Sequence, residues 1–332
     1  MPSRPHPLPG AALGLVLLLA LGLPALGLPA LGLPQVQVLE GGSARVPLMS
    51  GTPETPDPAS PQVIAHRGAS GHAPEHTLAA YDLAVRMGAD FLEPDLQMTA
   101  DGVLVAFHDA TLDRTARGPS TYCTGPIRER TLAELRDCDV GSWFNERFPD
   151  RADPAFVGLR IPTLEELFQR YGASVRWYPE TKNPDERLPG QPPMEEVLLD
   201  LLHAHDLRDP AVERGQVLIQ SFSPASLRRL QELDPELPLV QLLRASDATP
   251  ETVDAVLDAV AEYAVGVGPN RALVNEAFMD AARARGLVVH PWTVNDPVEM
   301  DRLLSFGVDG IFSDFPDVLG ARIRAWAEAG DG

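Results

Sequence analysis

The alternation of short apolar runs with amphipathic segments constrains the fold of this chain more than any other sequence feature. Helical patterns separate most of the runs, as in residues 77–89, where apolar side chains recur at helical spacing before the helix ends near Gly88. Eight such β/α units in about 265 residues predict a closed (β/α)8 barrel, which typically takes ~250 residues. The eight predicted strands are residues 62–68, 90–98, 175–182, 216–222, 237–243, 264–269, 287–295 and 310–316.

Two stretches depart from this alternation. Residues 99–109 continue the second strand through an Asp101-Gly102 turn, a pattern that predicts a β-hairpin. Residues 111–160 then form an unusually long connection, which predicts a small insertion after the second strand, at the active-site face. The barrel is expected to occupy residues 61–327. A doubly wound open sheet is the alternative, but no glycine-rich fingerprint follows the first strand.

The N-terminal segment has the composition of a targeting sequence. Arg4 marks a basic region, residues 11–23 are apolar, and small residues follow, so residues 1–34 are predicted to be a signal peptide. Residues 35–60, rich in Pro, Ser, Gly and Thr, are predicted to be a flexible leader. We therefore expect an exported protein, periplasmic or extracellular, with no stable membrane insertion after cleavage. An uncleaved anchor is the alternative, because residues 11–33 are almost long enough to cross a bilayer.

Two cysteines, Cys123 and Cys138, lie in the long connection. An oxidising compartment favours a disulfide between them. The alternative is a pair of free, buried thiols.

The formal net charge of −20 limits the classes of partner. No basic stripe is present to neutralise nucleic-acid phosphates, and the acidic balance opposes electrostatic docking on anionic lipid. A small-molecule ligand is therefore expected, and if it is an anion the site needs local positive charge. No oligomeric state follows from the sequence.

Charged side chains stand at the ends of the second and third predicted strands, where functional groups of such barrels cluster. Glu93 and Asp95 are two positions apart on one strand, and Glu180 and Lys182 are two apart on the next, so each pair shares a face. Three converging carboxylates favour a divalent cation, Ca²⁺ or Mg²⁺. Ca²⁺ is favoured because an exported protein meets it at higher concentration. The alternative is a structural ion-pair network with Lys182 and Arg67.

Two histidines and two cations complete the predicted site. His66 and His108 are suited to acid/base catalysis because histidine titrates near neutral pH. Arg67 offers a bidentate fork for phosphate. Lys182 is the only lysine beside 26 arginines, which indicates a position that needs a compact ammonium, unless it is an accident of composition. Together with a metal, this set favours phosphoester hydrolysis.

Residues 64–109, "IAHRGASGHAPEHTLAAYDLAVRMGADFLEPDLQMTADGVLVAFHD", resemble the glycerophosphodiester phosphodiesterases, whose signature runs HRG, PE(N/H)T, E-x-D and HD. The similarity extends over residues 62–320, through "YPETK", "QSF", "WTVN" and "FSDFP". The "PEHT" form, the export signal and "HPWTVN" are most similar to the periplasmic or secreted branch.

The resemblance implies a (β/α)8 barrel with a small insertion that hydrolyses glycerophosphodiesters to sn-glycerol 3-phosphate and an alcohol, with a divalent metal. In the family, the substrate's own 2-hydroxyl is thought to attack phosphorus, and water then opens the cyclic phosphate. Thr181 departs from the aliphatic residue common at its position, and its side chain is expected to face away from the barrel mouth. The matching positions are metal ligands, an acid/base pair and phosphate-binding cations: Glu93, Asp95 and Glu180; His66 and His108; Arg67 and Lys182.

Gln220, Phe222 and Trp292 are predicted to line the substrate pocket. A Schiff-base lyase acting through Lys182 is one rival reading, but it leaves His66 and the carboxylates without a role. A non-catalytic binding protein would not need both histidines. A secreted phospholipase D-like or teichoic-acid phosphodiesterase stays open, because pocket width is not visible in a sequence.

Overall fold

Eight strand positions close into a barrel within residues 60–330, the part of the chain that this computed structural model describes. The predicted signal peptide, residues 1–34, lies outside the described residues, as does the predicted leader up to residue 59. Residues 331–332 also lie outside them.

The strands hydrogen-bond in two ladders, with the orders β11-β1-β2-β5 and β10-β9-β8-β7-β6-β3-β4. Every adjacent pair is parallel except β3 and β4, which form the hairpin predicted at residues 99–109. The segments are β1 Gln62–His66, β2 Phe91–Glu93, β3 Asp95–Met98, β4 Leu104–Ala106, β5 Arg176–Trp177, β6 Glu180–Thr181, β7 Ile219–Ser221, β8 Leu239–Leu243, β9 Gly266–Pro269, β10 Val288–Val289 and β11 Gly310–Ser313.

Prolines divide the second and third barrel strands without ending them. Pro94 lies between β2 and β3, and Pro179 lies between β5 and β6. Proline has no N–H to donate to a ladder, so the regular pairing breaks at each position. The two strands nevertheless stay joined across the break, since Tyr178 N donates to Leu92 O at 2.9 Å and Glu180 N donates to Pro94 O at 2.9 Å. Each pair of segments is therefore one bent strand of the barrel.

The barrel closes between β10 and β11. Asp309 N donates to Val289 O at 3.1 Å, and Phe312 N donates to Pro291 O at 3.0 Å. These bonds join the two ladders into a ring of eight parallel strand positions, which match the eight predicted runs. The predicted closed barrel is confirmed, and the open doubly wound sheet is excluded.

Helices cover the outside of the barrel between consecutive strands. Sequence-encoded caps begin several of them; the Thr77 hydroxyl, for example, accepts from Ala80 N at the start of α1. In the described region, no helix has the length and apolar character that a membrane crossing requires. The helices are α1 Leu78–Arg86, α2 Leu132–Leu135, α3 Ser142–Arg147, α4 Leu164–Tyr171, α5 Met194–Ala204, α6 Arg208–Arg214, α7 Pro224–Leu233, α8 Val253–Ala261, α9 Glu276–Arg283, α10 Pro297–Ser305 and α11 Pro316–Gly330.

A layer of apolar side chains fills the barrel interior below its mouth. The layer contains Tyr178, whose ring lies 5.4 Å from that of Phe91 and 5.0 Å from that of Phe312. Successive residues of a strand point to opposite faces, so the residue two positions further along each strand also faces inward, one layer higher. The layer consists of Ile64, Phe91, Tyr178, Leu218, Val240 and Phe312.

Residues 111–160 form the predicted insertion, which carries α2 and α3. Cys123 and Cys138 are joined by a disulfide, as predicted. Both half-cystines are buried in an apolar cluster that is separate from the main core and connects the insertion to the hairpin through Val105. The disulfide therefore crosslinks the interior of the insertion.

Replacing Cys123 and Cys138 together by alanine is expected to lower the free energy of unfolding by about 3 kcal/mol, because the bridge closes a loop of roughly 15 residues in the unfolded chain. Denaturant unfolding of the oxidised protein and the double variant measures the difference. Wild type unfolded in a reductant is the control and should show a similar loss. Two free thiols in protein purified without reductant would contradict the prediction.

Candidate active site

Polar side chains occupy the inward positions directly above the apolar layer. His66 follows Ile64 on β1 and Glu93 follows Phe91 on β2, and three more strand ends repeat this pattern, whereas Val240 on β8 is followed by the apolar Leu242. The strand period of two therefore stacks a polar ring on an apolar floor at the carboxyl ends of the strands. The other polar members of this ring are Glu180, Gln220 and Asp314.

Three carboxylates meet at the centre of this ring. Glu93, Asp95 and Glu180 are all buried, and each offers an oxygen within 4.8 Å of the others. The ladder places Asp95 opposite Glu180. The sequence prediction that these residues converge agrees with this geometry.

Two cations contact the carboxylates. Lys182 Nζ lies 3.1 Å from Glu180 Oε1 and 3.6 Å from Asp95 Oδ1, and Arg67 Nε lies 3.3 Å from Asp95 Oδ2. Burial alone would raise the pKa of Asp95, but Lys182, a hydrogen bond with His76 and Arg67 together hold that pKa well below its ordinary value. Asp95 is therefore an anion held by three neighbours.

The two cations do not compensate all three carboxylates. Glu93 accepts only from Arg67 N at 2.8 Å and from Gln220 Nε2 at 3.1 Å, and its pKa is raised well above the ordinary value by burial and by Asp95 and Glu180. Burial and Asp95 also raise the pKa of Glu180. An uncompensated, all-oxygen cluster is the donor set that Ca²⁺ and Mg²⁺ prefer. The residues fit a divalent cation, and the ion pairs alone do not account for them.

His76 contacts the cluster through Asp95. Its Nε2 lies 2.8 Å from Asp95 Oδ2, and its Nδ1 lies 2.8 Å from the Tyr81 hydroxyl. Burial lowers the pKa of His76 to about 4, so the ring is neutral at pH 7 and donates one hydrogen bond to Asp95. Both His76 and Arg67 adopt left-handed backbone, with φ of 56° and 60°, a conformation that is costly for non-glycine residues and concentrates at functional sites.

His66 is oriented by a residue near the end of the chain. Its Nδ1 lies 2.6 Å from Asp314 Oδ1, and Asp314 also accepts from Ser70 Oγ at 3.0 Å and from Asn295 Nδ2 at 2.6 Å. Burial and Arg67 lower the pKa of His66, while Asp314 opposes them. Asp314 thus fixes the ring and leaves Nε2 for a ligand.

His108, like His66, has a carboxylate partner, which is Asp109. Its Nδ1 lies 2.6 Å from Asp109 Oδ1, and Arg114 Nε donates to Asp109 Oδ2 at 2.6 Å. Arg114 Nη2 also donates to Glu75 Oε1 at 2.6 Å, and Glu75 accepts from Arg67 Nη1 at 3.2 Å. One continuous chain of contacts therefore runs from Arg67 through the insertion to His108.

Two cavities meet at the mouth. The smaller, of about 100 Å³, is walled by Phe222 and Trp292, whose rings meet edge to face at 5.4 Å. The larger, of about 750 Å³, lies between the insertion and the barrel rim. His66, Arg67 and Thr293 line both cavities, so they mark the junction. The smaller cavity is also lined by Glu93, His108, Glu180, Lys182, Gln220, Leu242 and Phe312.

The structure brings the predicted site residues to one place: all but Asp95 line the smaller cavity, and Asp95 is buried against Lys182. Thr181 faces outward as expected, with its hydroxyl 3.0 Å from Ser226 Oγ. The sequence alone assigned no role to Asp314, Asn295, Glu75 or Arg114. Three of these stand in motifs already noted, "PEHT", "WTVN" and "FSDFP", which was the available signal.

Sequence comparison relates the chain to known proteins over most of its length. Residues 66–318 match the glycerophosphoryl diester phosphodiesterase family. The glycerophosphodiester phosphodiesterase of Bacillus subtilis (strain 168) is 46% identical over 256 residues, which cover 77% of this chain and 84% of that protein. The glycerophosphodiester phosphodiesterase of Caldanaerobacter subterraneus subsp. tengcongensis is 33% identical over 258 residues, covering 77% of this chain and 95% of that protein.

Solved structures share the fold. A phosphodiesterase of Oleispira antarctica, solved in complex with the product sn-glycerol-3-phosphate, superposes with a TM-score of 0.64 at 29% identity and covers 80% of this chain and 97% of its own. A glycerophosphodiester phosphodiesterase of Agrobacterium tumefaciens str. C58 superposes with a TM-score of 0.62 at 28% identity. The match covers 79% of this chain and 99% of that protein.

Proposed function

The chain belongs to the glycerophosphoryl diester phosphodiesterase family, and we propose that it hydrolyses glycerophosphodiesters to sn-glycerol 3-phosphate and an alcohol with the help of a divalent metal ion. The observation that carries this proposal is the convergence of three carboxylates, two carboxylate-bound histidines and two cations on one small cavity.

The metal would be held by Glu93, Asp95 and Glu180, and when bound it would supply Lewis-acid stabilisation of charge on a phosphoryl oxygen. Ca²⁺ is our preferred ion over Mg²⁺, because the protein is proposed to be exported. We position the phosphate in the smaller cavity near its junction with the larger one, because Arg67 lines both cavities and Lys182 lines the smaller one. Both side chains donate charge-assisted hydrogen bonds that suit phosphate oxygens.

The positions of the two histidines relative to the two cavities support different roles for them. Glycerol suits the smaller cavity, between Phe222 and Trp292, and the leaving alcohol suits the larger one. His108 lines only the smaller cavity, so it accepts the proton of the glycerol 2-hydroxyl as that oxygen attacks phosphorus. His66 lines both, so it donates a proton to the departing alcohol oxygen.

The second half of the reaction reverses these roles. Water enters where the alcohol left and gives a proton to His66 as its oxygen attacks the cyclic phosphate. The bond from phosphorus to the 2-oxygen breaks, and His108 returns its proton to that oxygen. Both histidines end in their starting protonation states, and Asp314 and Asp109 keep them oriented throughout.

The rival Schiff-base lyase needs a neutral lysine amine. Burial favours the neutral amine, but the negative charges of Asp95 and Glu180 outweigh the effect of burial and raise the pKa of Lys182 above its ordinary value. The ammonium form therefore dominates at neutral pH, which supports a charge-binding role for Lys182.

Lys182→Arg is expected to fold and to lower kcat/KM on the order of 10²-fold, since displacement of a reacting group by about 1 Å can cost that much. The Lys182 side chain is 14% exposed between two carboxylates, and the cavity beside it holds about 100 Å³, so a planar guanidinium must displace its neighbours. Steady-state kinetics measure the loss, and thermal unfolding checks the fold. Arg214→Lys, at an exposed helix end, is the control. A Lys182→Arg enzyme within about threefold of wild type would mean that the lysine is an accident of composition.

A coupled assay tests the proposed function directly. Release of sn-glycerol 3-phosphate from glycerophosphocholine, glycerophosphoethanolamine and glycerophosphoglycerol should be detected with metal and lost with chelator. Folded, metal-supplemented protein that releases no product from any of these diesters would refute the proposal.

We also propose that the protein is exported, as residues 1–34 suggest. The pairing of both cysteines supports this, because disulfides persist in oxidising compartments. N-terminal sequencing of the mature protein from the culture or periplasmic fraction tests it. A mature chain that retains residues 1–34 in the cytoplasm would contradict it.

A further inference from the structure

The larger cavity, proposed above to receive the leaving alcohol, has a net positive lining although the chain as a whole is strongly acidic. Its lining includes five arginines and three carboxylates, an excess of two positive charges in a protein whose formal net charge is −20. Insertion residues form one wall, and the barrel rim forms the other.

The carboxylates of the cavity are already paired. Glu146 accepts from Arg117 Nη2 at 2.6 Å, and Asp314 holds His66 at 2.6 Å. Glu75 is held by Arg114 at 2.6 Å. Each carboxylate of this lining therefore already has a cationic or histidine partner.

Two arginines on opposite walls are not paired in this way. Arg147, on the insertion, has no carboxylate of the described residues within 4.0 Å of its guanidinium. Arg271, on the rim, is 4.0 Å from the carboxylate of Glu299, and its Nη1 donates to the carbonyl of Thr293 at 3.0 Å. Because Thr293 lines both cavities and Arg271 lines only the larger one, Arg271 stands on the leaving-alcohol side of their junction.

The aromatic residues of the cavity do not form a cage for a quaternary ammonium. The Trp143 ring already faces the Arg114 guanidinium at 5.7 Å, and the Phe148 ring faces those of Arg151 at 4.2 Å and Arg147 at 5.5 Å. A choline headgroup would compete with these arginines for the same ring faces and would meet their positive charge.

We propose that the larger cavity selects leaving alcohols that carry an anionic group, with Arg147 and Arg271 as the contacting cations. The inference rests on the proposed function and extends it to a substrate class: glycerophosphodiesters whose alcohol bears a phosphate or carboxylate. Two exposed charge-assisted contacts to a phosphate should make kcat/KM roughly tenfold higher than for a diester with a neutral leaving alcohol.

A matched substrate pair tests this. Glycerophosphoglycerol has a neutral glycerol leaving group, and glycerophosphoglycerol phosphate differs from it by one terminal phosphate. Hydrolysis of each by the full chain with metal is followed by ³¹P nuclear magnetic resonance. The variants are Arg147→Gln, Arg271→Gln and the double variant, and Arg214→Gln, at the far end of the barrel, controls for the change in net charge.

We expect wild type and Arg214→Gln to favour the phosphorylated substrate by roughly tenfold. The double variant should lose that preference while it hydrolyses glycerophosphoglycerol within about threefold of wild type. Equal rates for both substrates in wild type, or a preference that survives in the double variant, would overturn the inference and leave the proposed function intact. Failure of wild type to hydrolyse either diester would instead refute the proposed function, and the inference with it.

Discussion

His66→Ala and His108→Ala are each expected to lower kcat by roughly 10²–10⁴, the range for loss of a positioned acid or base. Each ring is fixed by a carboxylate at 2.6 Å and lines the cavity that holds the proposed phosphate position. Alanine removes the proton carrier and leaves Asp314 or Asp109 without its histidine partner. Steady-state kinetics on glycerophosphoglycerol give the loss.

A substrate with an acidic leaving group separates the two roles. A p-nitrophenyl ester of glycerol phosphate needs little protonation of its leaving oxygen, so it should restore much of the rate to His66→Ala but not to His108→Ala. His72→Ala is the matched control, because His72 pairs with Asp317 and lines neither cavity of the mouth. Equal rescue of both variants would contradict the role assignment, and a near-native rate in either would make that histidine structural.

Removal of the divalent ion is expected to abolish hydrolysis, and Ca²⁺ or Mg²⁺ should restore it. The reason is that only two cations, Lys182 and Arg67, contact the three clustered carboxylates, so the cluster keeps an excess of negative charge that a divalent ion would balance. Calorimetric titration of chelator-treated protein measures binding without reference to activity. Glu180→Gln should weaken that binding at least tenfold, while Glu195→Gln, at a buried carboxylate outside the cluster, should not. Full activity in protein shown to be metal-free would refute the metal assignment.

The same carboxylates predict how the metal-free protein responds to pH. Their pKa values are raised in the folded state, so between the ordinary value of 4.5 and the raised value the folded chain holds protons that the unfolded chain has released. The contribution of these two carboxylates to the free energy of unfolding is therefore largest at low pH, and it falls as the pH rises through the raised pKa. Added Ca²⁺ should therefore raise the melting temperature more at pH 8 than at pH 5, which lies close to the ordinary pKa. A smaller increase at pH 8 would contradict this account.

The strand-end residues were predictable because they depend on short-range rules. A period of two along each strand, together with the closure of parallel strands into a ring, is enough to bring Glu93 and Glu180 into one mouth. The contacts of Asp314 and Arg114 were not predictable in this way. Asp314 reaches His66 across 248 positions, and Arg114 reaches Glu75 from inside the insertion, so both depend on packing that spacing does not encode. The width of the larger cavity depends on the same insertion, which is why the sequence left the leaving group open.

The closure of the barrel between its first and last strands also sets the order in which the site is completed during synthesis. Chains emerge from the ribosome amino end first. By the time Lys182 is made, both histidines and every carboxylate of the central cluster have already been made. Strand β1 still lacks its neighbour β11, whose Gly310 lies opposite Gln62. Asp314, the residue that orients His66, follows directly after that last strand. A nascent or truncated chain that ends before Asp314 therefore holds the cluster's ligands without the residue that orients His66, and the site is completed only when the final strand and Asp314 have been made.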